Sequence, residues 1–248
     1  MESIKELTKY LKLSYINKNI ENELSEAKNL AKSYEEFLFD ILNNESNYRK
    51  INGINSRIRD AKFPQRKSLD DFEKSKFKPE VKKKFEELET LNFIDKKENI
   101  ILLSNPGMGK THYSIGLAIK AIMANKRVLF ISIPNLVIEI KEALSLNQIT
   151  NIRKKFERYD LIVLDELGYV SFDKEGTEIL FNLISNRINI GSILITTNLS
   201  FDKWIEIFKD PILTTAIVDR LAHKSHIINM SGDSYRIEDT LRWLKTKD

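Results

Sequence analysis

The segment Ser104-Asn105-Pro106-Gly107-Met108-Gly109-Lys110-Thr111-His112 has the residue types and spacing to hold a phosphate group. In a P-loop, G-x-x-x-x-G-K-[ST], successive backbone N–H groups turn inward around phosphate oxygens. The lysine adds a full positive charge, and the hydroxyl reaches a Mg²⁺ ion. Here Ser104 stands where the first glycine belongs. That exchange is expected to strain the turn slightly while leaving the phosphate-facing N–H groups in place. Lys110 is the candidate catalytic cation, and Thr111 a candidate Mg²⁺ ligand.

Two carboxylates form the second set. Asp160-Leu161-Ile162-Val163-Leu164-Asp165-Glu166 is an apolar run ending in acids. Alone it marks the exit of a strand. Downstream of a P-loop it reads as a Walker B motif, with Asp165 holding Mg²⁺ and Glu166 polarising an attacking water. Asn198, at the end of Ser192-Ile193-Leu194-Ile195-Thr196-Thr197-Asn198, could orient that water or sense the terminal phosphate. The alternative is an Asn that helps the turn before Ser200 caps a helix.

These groups can meet only if several elements bring them to one edge. Ligands of open parallel sheets bind beyond the carboxyl ends of the strands. The apolar run Asn99 to Leu103 predicts a buried strand leading into the P-loop, and Tyr113 to Ala124 an amphipathic helix after it. The positive end of that helix dipole would face the phosphate. Arg127 to Ser132 reads as a second strand, and Pro134 opens a helix with Leu136, Val137, Ile140 and Leu144 on its apolar face. Strand, helix and strand at this spacing form a right-handed parallel unit. A helix from about Thr177 to Ile190, stopped by Gly191, separates the Asp165 strand from the Asn198 strand. Ser225 to Met230 supplies a fifth strand.

Before residue 90 the pattern is different. Ile4, Leu7 and Leu11 recur at helical spacing, as do Ile20, Leu24, Ala27 and Ala31. Ser33 with Glu36 makes a capping box ahead of Phe37, Leu38, Ile41 and Leu42. The helical pattern continues past Gly53 until Phe63-Pro64 stops it. A small all-α domain over residues 1–67 is expected, then a linker helix and the α/β domain over 68–248. Ser68-Leu69-Asp70-Asp71 looks like a helix start, and Pro79 fits the first turn of a helix through Phe85, Leu88 and Leu91.

The stretch from Arg49 to Lys84 is strongly basic. Arg49, Lys50, Arg57, Arg59, Arg66 and Lys67 are candidate DNA contacts, the arginines because guanidinium pairs bidentately with phosphate. A solvated helix face explains the charge equally well, and is the simpler reading of the run Arg153 to Arg158. His112 is expected to pack on its helix. His223 and His226 read as structural, since no third ligand accompanies them. Tyr113, Trp204 and Trp243 read as packing residues.

The chain has no cysteine, which excludes disulfides, thiol catalysis and thiolate zinc sites. No run approaches the about 18 apolar residues of a membrane helix. The start, Met1-Glu2-Ser3-Ile4-Lys5-Glu6, lacks the features of a signal peptide. A cytoplasmic protein without membrane contact is expected.

Taken together, these motifs resemble the IstB-type transposition helper ATPases, relatives of the DnaC-like helicase loaders within the AAA+ superfamily. The resemblance runs nearly end to end. It rests on Phe63-Pro64, Leu69-Asp70-Asp71-Phe72, Asn105 to His112, Leu164-Asp165-Glu166-Leu167-Gly168-Tyr169, Thr196-Thr197-Asn198-Leu199-Ser200-Phe201, Asp219-Arg220-Leu221 and Ser234-Tyr235-Arg236. It implies an α/β P-loop AAA+ core with a five-stranded parallel sheet flanked by helices, a small helical domain before it, and a reduced or absent lid. Asn198 matches a sensor-1 position. Arg220 matches an arginine finger reaching a neighbouring subunit's nucleotide, and Arg236 a sensor-2-type contact.

The implied activity is a slow, switch-like, Mg²⁺-dependent ATPase that oligomerises on duplex DNA and assists a transposase. A helicase loader is the rival reading and shares every nucleotide motif. The Phe-Pro and Leu-Asp-Asp-Phe region favours the transposition helper. A metabolic kinase would not need Asn198 and Arg220 in these places.

Overall fold

The computed structural model describes residues 2–230, and the chain divides into two compact units, residues 1–56 and residues 57 onward. Arg236, Trp243 and the expected lid region lie outside the described residues.

The first unit contains α1 (Glu2–Tyr10), α2 (Ser14–Asn29) and most of α3 (Tyr34–Asp60). Lys12 and Ala31 adopt positive φ angles of 56° and 49° and turn the chain between these helices. The capping box forms as read: Glu36 N–H donates to Ser33 Oγ at 3.2 Å, and Ser33 N–H donates to Glu36 Oε2 at 2.8 Å. Its core is small, with Ile16 and Ile20 of α2 against Ile41 of α3. Leu7 and Leu11, read as apolar-face residues, are 60% and 58% exposed. A helical period therefore did not decide which positions are covered.

Glu45 is the polar centre of this unit. Its carboxylate, 4% exposed, accepts the N–H groups of Tyr15 (2.8 Å) and Ile16 (3.2 Å) and a bond from Arg49 Nε (2.8 Å). It thereby caps α2, whose own N-cap residue, Leu13, has no side chain that can accept. Burial pushes the Glu45 carboxyl up. The Arg49 guanidinium and the Ile16 and Tyr15 amides outweigh that and hold it below the ordinary glutamate value.

In the second unit, α4 (Pro79–Glu89) and α5 (Asn92–Lys96) precede β1 (Asn99–Leu103). There follow α6 (Lys110–Met123), β2 (Val128–Ser132), α7 (Ile133–Ser145), α8 (Ile149–Glu157), β3 (Leu161–Leu167) and α9 (Lys174–Arg187). The series ends with β4 (Ser192–Thr197), α10 (Trp204–Phe208), α11 (Pro211–Ala222) and β5 (Ser225–Asn229). The strands form one parallel sheet in the order β2-β3-β4-β1-β5. All five strands are where the sequence puts them.

Alternation along the strands divides the core. Ile101, Leu129, Ile131, Ile162, Leu164, Ile193 and Ile195 join the cluster formed with α7 to α11. Their neighbours Ile100, Leu102, Phe130, Val163 and Leu194 are also buried, and turn to the face where α6 lies. Trp204 and Tyr113 are fully buried packing residues, as expected.

Several boundaries differ from the sequence reading: α9 runs Lys174–Arg187 rather than from about Thr177 to Ile190, and α6 begins at Lys110 rather than Tyr113. α3 stops at Asp60 rather than at Phe63-Pro64, because Lys62 takes a positive φ of 60° and Ala61 O accepts Phe130 N–H at 2.9 Å. Ser68 to Asp71 does not start a helix. Phe72 N–H closes a turn on Leu69 O at 3.1 Å, and Asp70 N–H bonds Ser68 Oγ at 3.1 Å. The serine hydroxyl satisfies the turn instead of opening a helix. Among the described residues, no helix is long and apolar enough to cross a membrane.

Candidate nucleotide-binding site

The P-loop leaves β1 and enters α6 through two glycines that only glycine can fill comfortably. Gly107 and Gly109 have φ angles of 86° and 83°. A Cβ on Gly109 would stand 2.9 Å from Phe72 Cε2. Phe72 therefore lies against the loop, with His112 and Tyr113 also on its ring, at centroid distances of 5.5 and 5.3 Å. His112 Nε2 lies 2.8 Å from Ser68 O and ties the 68–72 turn to α6. His112 thus packs on the 68–72 turn and also lines the cavity at the P-loop, and the Leu-Asp-Asp-Phe motif packs against the P-loop through Phe72. Sequence reasoning missed that role because Phe72 and Gly109 are far apart in the chain.

Ser104 does not strain the turn. Its backbone is absent from the left-handed region, and its N–H bonds Thr197 O at 3.3 Å. Its hydroxyl donates to Asn105 O (3.0 Å) and accepts from Lys110 Nζ (3.0 Å), which also donates to the carbonyls of Ser104 (2.7 Å) and Asn105 (3.1 Å). The serine thus adds an acceptor for the lysine. Met108 is 1% exposed and anchors the loop in the core.

Thr111 Oγ1 lies 3.1 and 3.0 Å from the two Asp165 oxygens, so the hydroxyl and the carboxylate share one position. Asp165 is 3% exposed. Burial pushes its carboxyl above the usual range; hydrogen bonds from Thr196 and Thr111 pull it back, Glu166 raises it and Lys110 lowers it. Two hard oxygen donors side by side suit Mg²⁺, which is commonly held by one or two protein oxygens with substrate phosphates and water. The described residues hold no cluster of three or more His, Cys, Asp or Glu that would build a cage without those phosphates.

Glu166 turns outward. β3 pairs regularly with β4 up to Leu164↔Ile195, then resumes at Leu167↔Thr197, so Asp165 and Glu166 together oppose Thr196. In this bulge Glu166 takes a φ of 67° and is exposed. The exposed carboxylate lines a cavity of roughly 230 Å³ with Lys67, Gly107 to Thr111, Tyr169 and Asn198. Asn198 Oδ1 is buried and, among the described residues, has no hydrogen-bond partner. A Cβ on Gly168, whose φ is 121°, would stand 2.6 Å from that oxygen. The oxygen packs against Gly168, while Asn198 as a residue lines the cavity; a buried acceptor without a partner is uncommon in a folded protein.

Arg220 is elsewhere. It lies on α11 and lines a pocket with Asn99, Ile193 and Lys224, at the amino-terminal ends of the strands. Its guanidinium sits 4.3 Å from the Phe181 ring centroid. The fold therefore gathers Lys110, Thr111, Asp165, Glu166 and Asn198 at one edge and sets Arg220 at the other. Beside Arg220, the buried Arg187 donates to the carbonyls of Phe156, Tyr159 (3.0 Å), Asp160 (3.4 Å) and Ser192 (3.2 Å). Burial lowers its guanidinium to about 10, partly offset by Asp160. His226 pairs with Glu98 at 2.9 Å.

Of the candidate DNA contacts, Arg49, Lys50, Arg59 and Arg66 are exposed, while Arg57 and Lys67 are half-buried. Arg49 also donates to Glu45 and to Lys12 O (2.7 Å), which commits part of its fork. Arg153 and Lys154 on α8 and Arg158 just after it are exposed, consistent with a solvated face.

A family model described as IstB-like ATP binding protein matches residues 6–242. The insertion sequence IS21 putative ATP-binding protein of Pseudomonas aeruginosa is 35% identical over 96% of this chain and 90% of its own length. The IS5376 putative ATP-binding protein of Geobacillus stearothermophilus is 37% identical over 87% of this chain and 86% of its own length. Among solved structures, the crystal structure of the DnaI superposes with a TM-score of 0.57 at 18% identity, covering 66% of this chain and 90% of that one. At that identity the likeness speaks for the fold, an AAA+ P-loop core.

Proposed function

Because the chain belongs to the IstB-like ATP-binding protein family, we propose that it is an ATP-hydrolysing assembly switch that binds duplex DNA and assists a transposase. The observation that carries this reading is the division of the site: an all but complete hydrolytic edge in one subunit, and a candidate finger, Arg220, on the opposite edge of the same sheet. A finger so placed serves another subunit's nucleotide. ATP then joins neighbours, and hydrolysis loosens them.

In the proposed reaction the P-loop N–H groups and Lys110 bind the β- and γ-phosphates of ATP. Thr111 and Asp165 would hold Mg²⁺, which when bound neutralises charge on the phosphate oxygens. Glu166 accepts a proton from a water that Asn198 orients through its amide. The water oxygen bonds to the γ-phosphorus as the bond to the ADP oxygen breaks, giving ADP and phosphate. Arg220 of an adjoining subunit stabilises the negative charge spread over the transferred group.

The helical segment 1–67 supplies DNA and partner contacts in this reading, with Arg49, Lys50, Arg57, Arg59, Arg66 and Lys67 as sequence-tolerant phosphate ligands. The names of the insertion-sequence relatives support the transposition reading over helicase loading. A cytoplasmic setting fits both.

The test measures ATP turnover and sedimentation on duplex and single-stranded DNA. Lys110→Ala is expected to abolish ATP-dependent assembly. Glu166→Gln is expected to assemble and to lose turnover by about 10²- to 10⁴-fold. Assembly of the Lys110 variant with ATP would refute the switch, and a strong preference for single strands would favour the helicase-loader reading.

A further inference from the structure

We propose that Thr196 is a positioning residue for hydrolysis, whose hydroxyl fixes both carboxylates of the site at once. The inference rests on the ATPase reading above.

Threonine hydroxyls of α1, α9 and α11 take a local route. Those of Thr8, Thr214 and Thr215 donate to carbonyls four residues back, the usual helix arrangement, and Thr177 does so while also reaching Phe208 O at 3.2 Å. Thr196 instead sits at the end of a buried strand, 1% exposed, and reaches across to β3. Its Oγ1 donates to Asp165 Oδ1 at 2.5 Å and accepts the Glu166 N–H at 2.9 Å. One hydroxyl uses its proton on the first acid and its lone pair on the backbone of the second.

The bulge explains the need. Two residues of β3 face one of β4, so the regular ladder lapses at Asp165 and Glu166. In that gap the Thr196 side chain takes the N–H that a ladder carbonyl would have accepted, and the chain can hold Glu166 at its φ of 67°. That conformation leaves Glu166 exposed as one of the residues lining the phosphate cavity, while Asp165 stays buried beside Thr111. Thr196 lies two residues before Asn198, so the same strand end carries the candidate water-orienting amide. Movement of that strand end by a bound phosphate would therefore be felt directly at both acids.

The sharpest probe is Thr196→Val, which keeps shape and removes the hydroxyl, with Thr196→Ser as the variant that restores it. In the nucleotide-free protein, hydrogen exchange at the Glu166 amide is expected to rise at least about tenfold in Thr196→Val and to return near wild type in Thr196→Ser. Binding of a fluorescent ATP analogue in EDTA is expected to stay within about twofold of wild type, because the P-loop is untouched. With Mg·ATP, kcat is expected to fall about 10- to 100-fold while KM changes little, with a higher half-saturating Mg²⁺ concentration. Thr196→Ser is expected to keep kcat within about threefold of wild type.

Wild-type exchange and wild-type kcat in Thr196→Val would overturn the proposal, provided Glu166→Gln is inactive in the same assay. If Thr196→Val fails to fold, Thr196→Ser decides: a Ser variant with low kcat and an exposed Glu166 amide would assign the role to the methyl group and overturn it. Full turnover by Glu166→Gln would remove the role given to Glu166 and this inference with it, whereas absence of ATP turnover in the wild-type protein would remove the ATPase reading itself.

Discussion

Gly168→Ala tests the coupling between the carboxylate strand and Asn198. Gly168 sits just beyond β3 with a φ of 121°, a conformation that side-chain-bearing residues rarely adopt. A methyl there would lie 2.6 Å from Asn198 Oδ1 and 3.0 Å from two Leu199 side-chain carbons. The Asn198 amide is the end of a mobile side chain and can rotate away, so that clash is relieved cheaply. The backbone strain cannot be relieved in the same way, and costs roughly 1–3 kcal/mol. For a domain of this size each kcal/mol shifts the midpoint by about 2–4 °C, so a fall of roughly 2–12 °C is expected. The functional loss should exceed the structural one, because the relief displaces Asn198 from the cavity. Turnover is expected to drop about 10- to 100-fold while binding of a nucleotide analogue persists. Circular dichroism melting with phosphate-release kinetics checks both. A variant that melts with wild type and turns over normally would refute the geometric argument at Gly168 and the assignment of Asn198 together.

Three further outcomes are expected. Arg220→Ala should lose about 10³-fold or more in turnover, and mixing it with Glu166→Gln should restore activity that neither has alone; no recovery in the mixture would argue against a finger acting between subunits. Because the folded Glu45 carboxyl is held below its ordinary 4.5, its contribution to stability is present above that value and is lost as pH falls through the depressed one. The melting difference between wild type and Glu45→Gln should therefore shrink on acidification below 4.5, as thermal scans across pH would show. Arg187→Leu leaves buried carbonyls at Phe156, Tyr159 and Ser192 without their donor and should cost about 2–5 kcal/mol in urea unfolding.

Much of this molecule was legible in its sequence. The five strands follow from apolar runs bounded by turns, and short-range spacing sets the P-loop, the Asp165-Glu166 pair and the Ser33–Glu36 capping box. What misled was any inference from local pattern to burial or boundary. Leu7 and Leu11 keep a helical period yet remain exposed, because the unit has too little partner surface to cover every apolar position. Ser68 carries a capping residue's chemistry, but spends it on a turn that seats Phe72 against Gly109.

By itself, then, the sequence determined the parts: a phosphate cradle, two acids, an amide and the strands that carry them. Their types and short spacings encode that chemistry directly, since the cradle and the acid pair are each local in the chain. Tertiary structure alone decided how the parts act on one another. Thr196 reaches Asp165 and Glu166 only because β4 lies beside β3 and β3 bulges at that point. Ser104 fits the turn outside the left-handed region, and its hydroxyl accepts a bond from Lys110. Arg220 belongs to the opposite edge because the last turn of α11 ends beside the amino-terminal ends of the strands. Side-chain hydrogen bonds reach about 3 Å whatever the separation along the chain, so such relations exist only once the sheet has set its order and register.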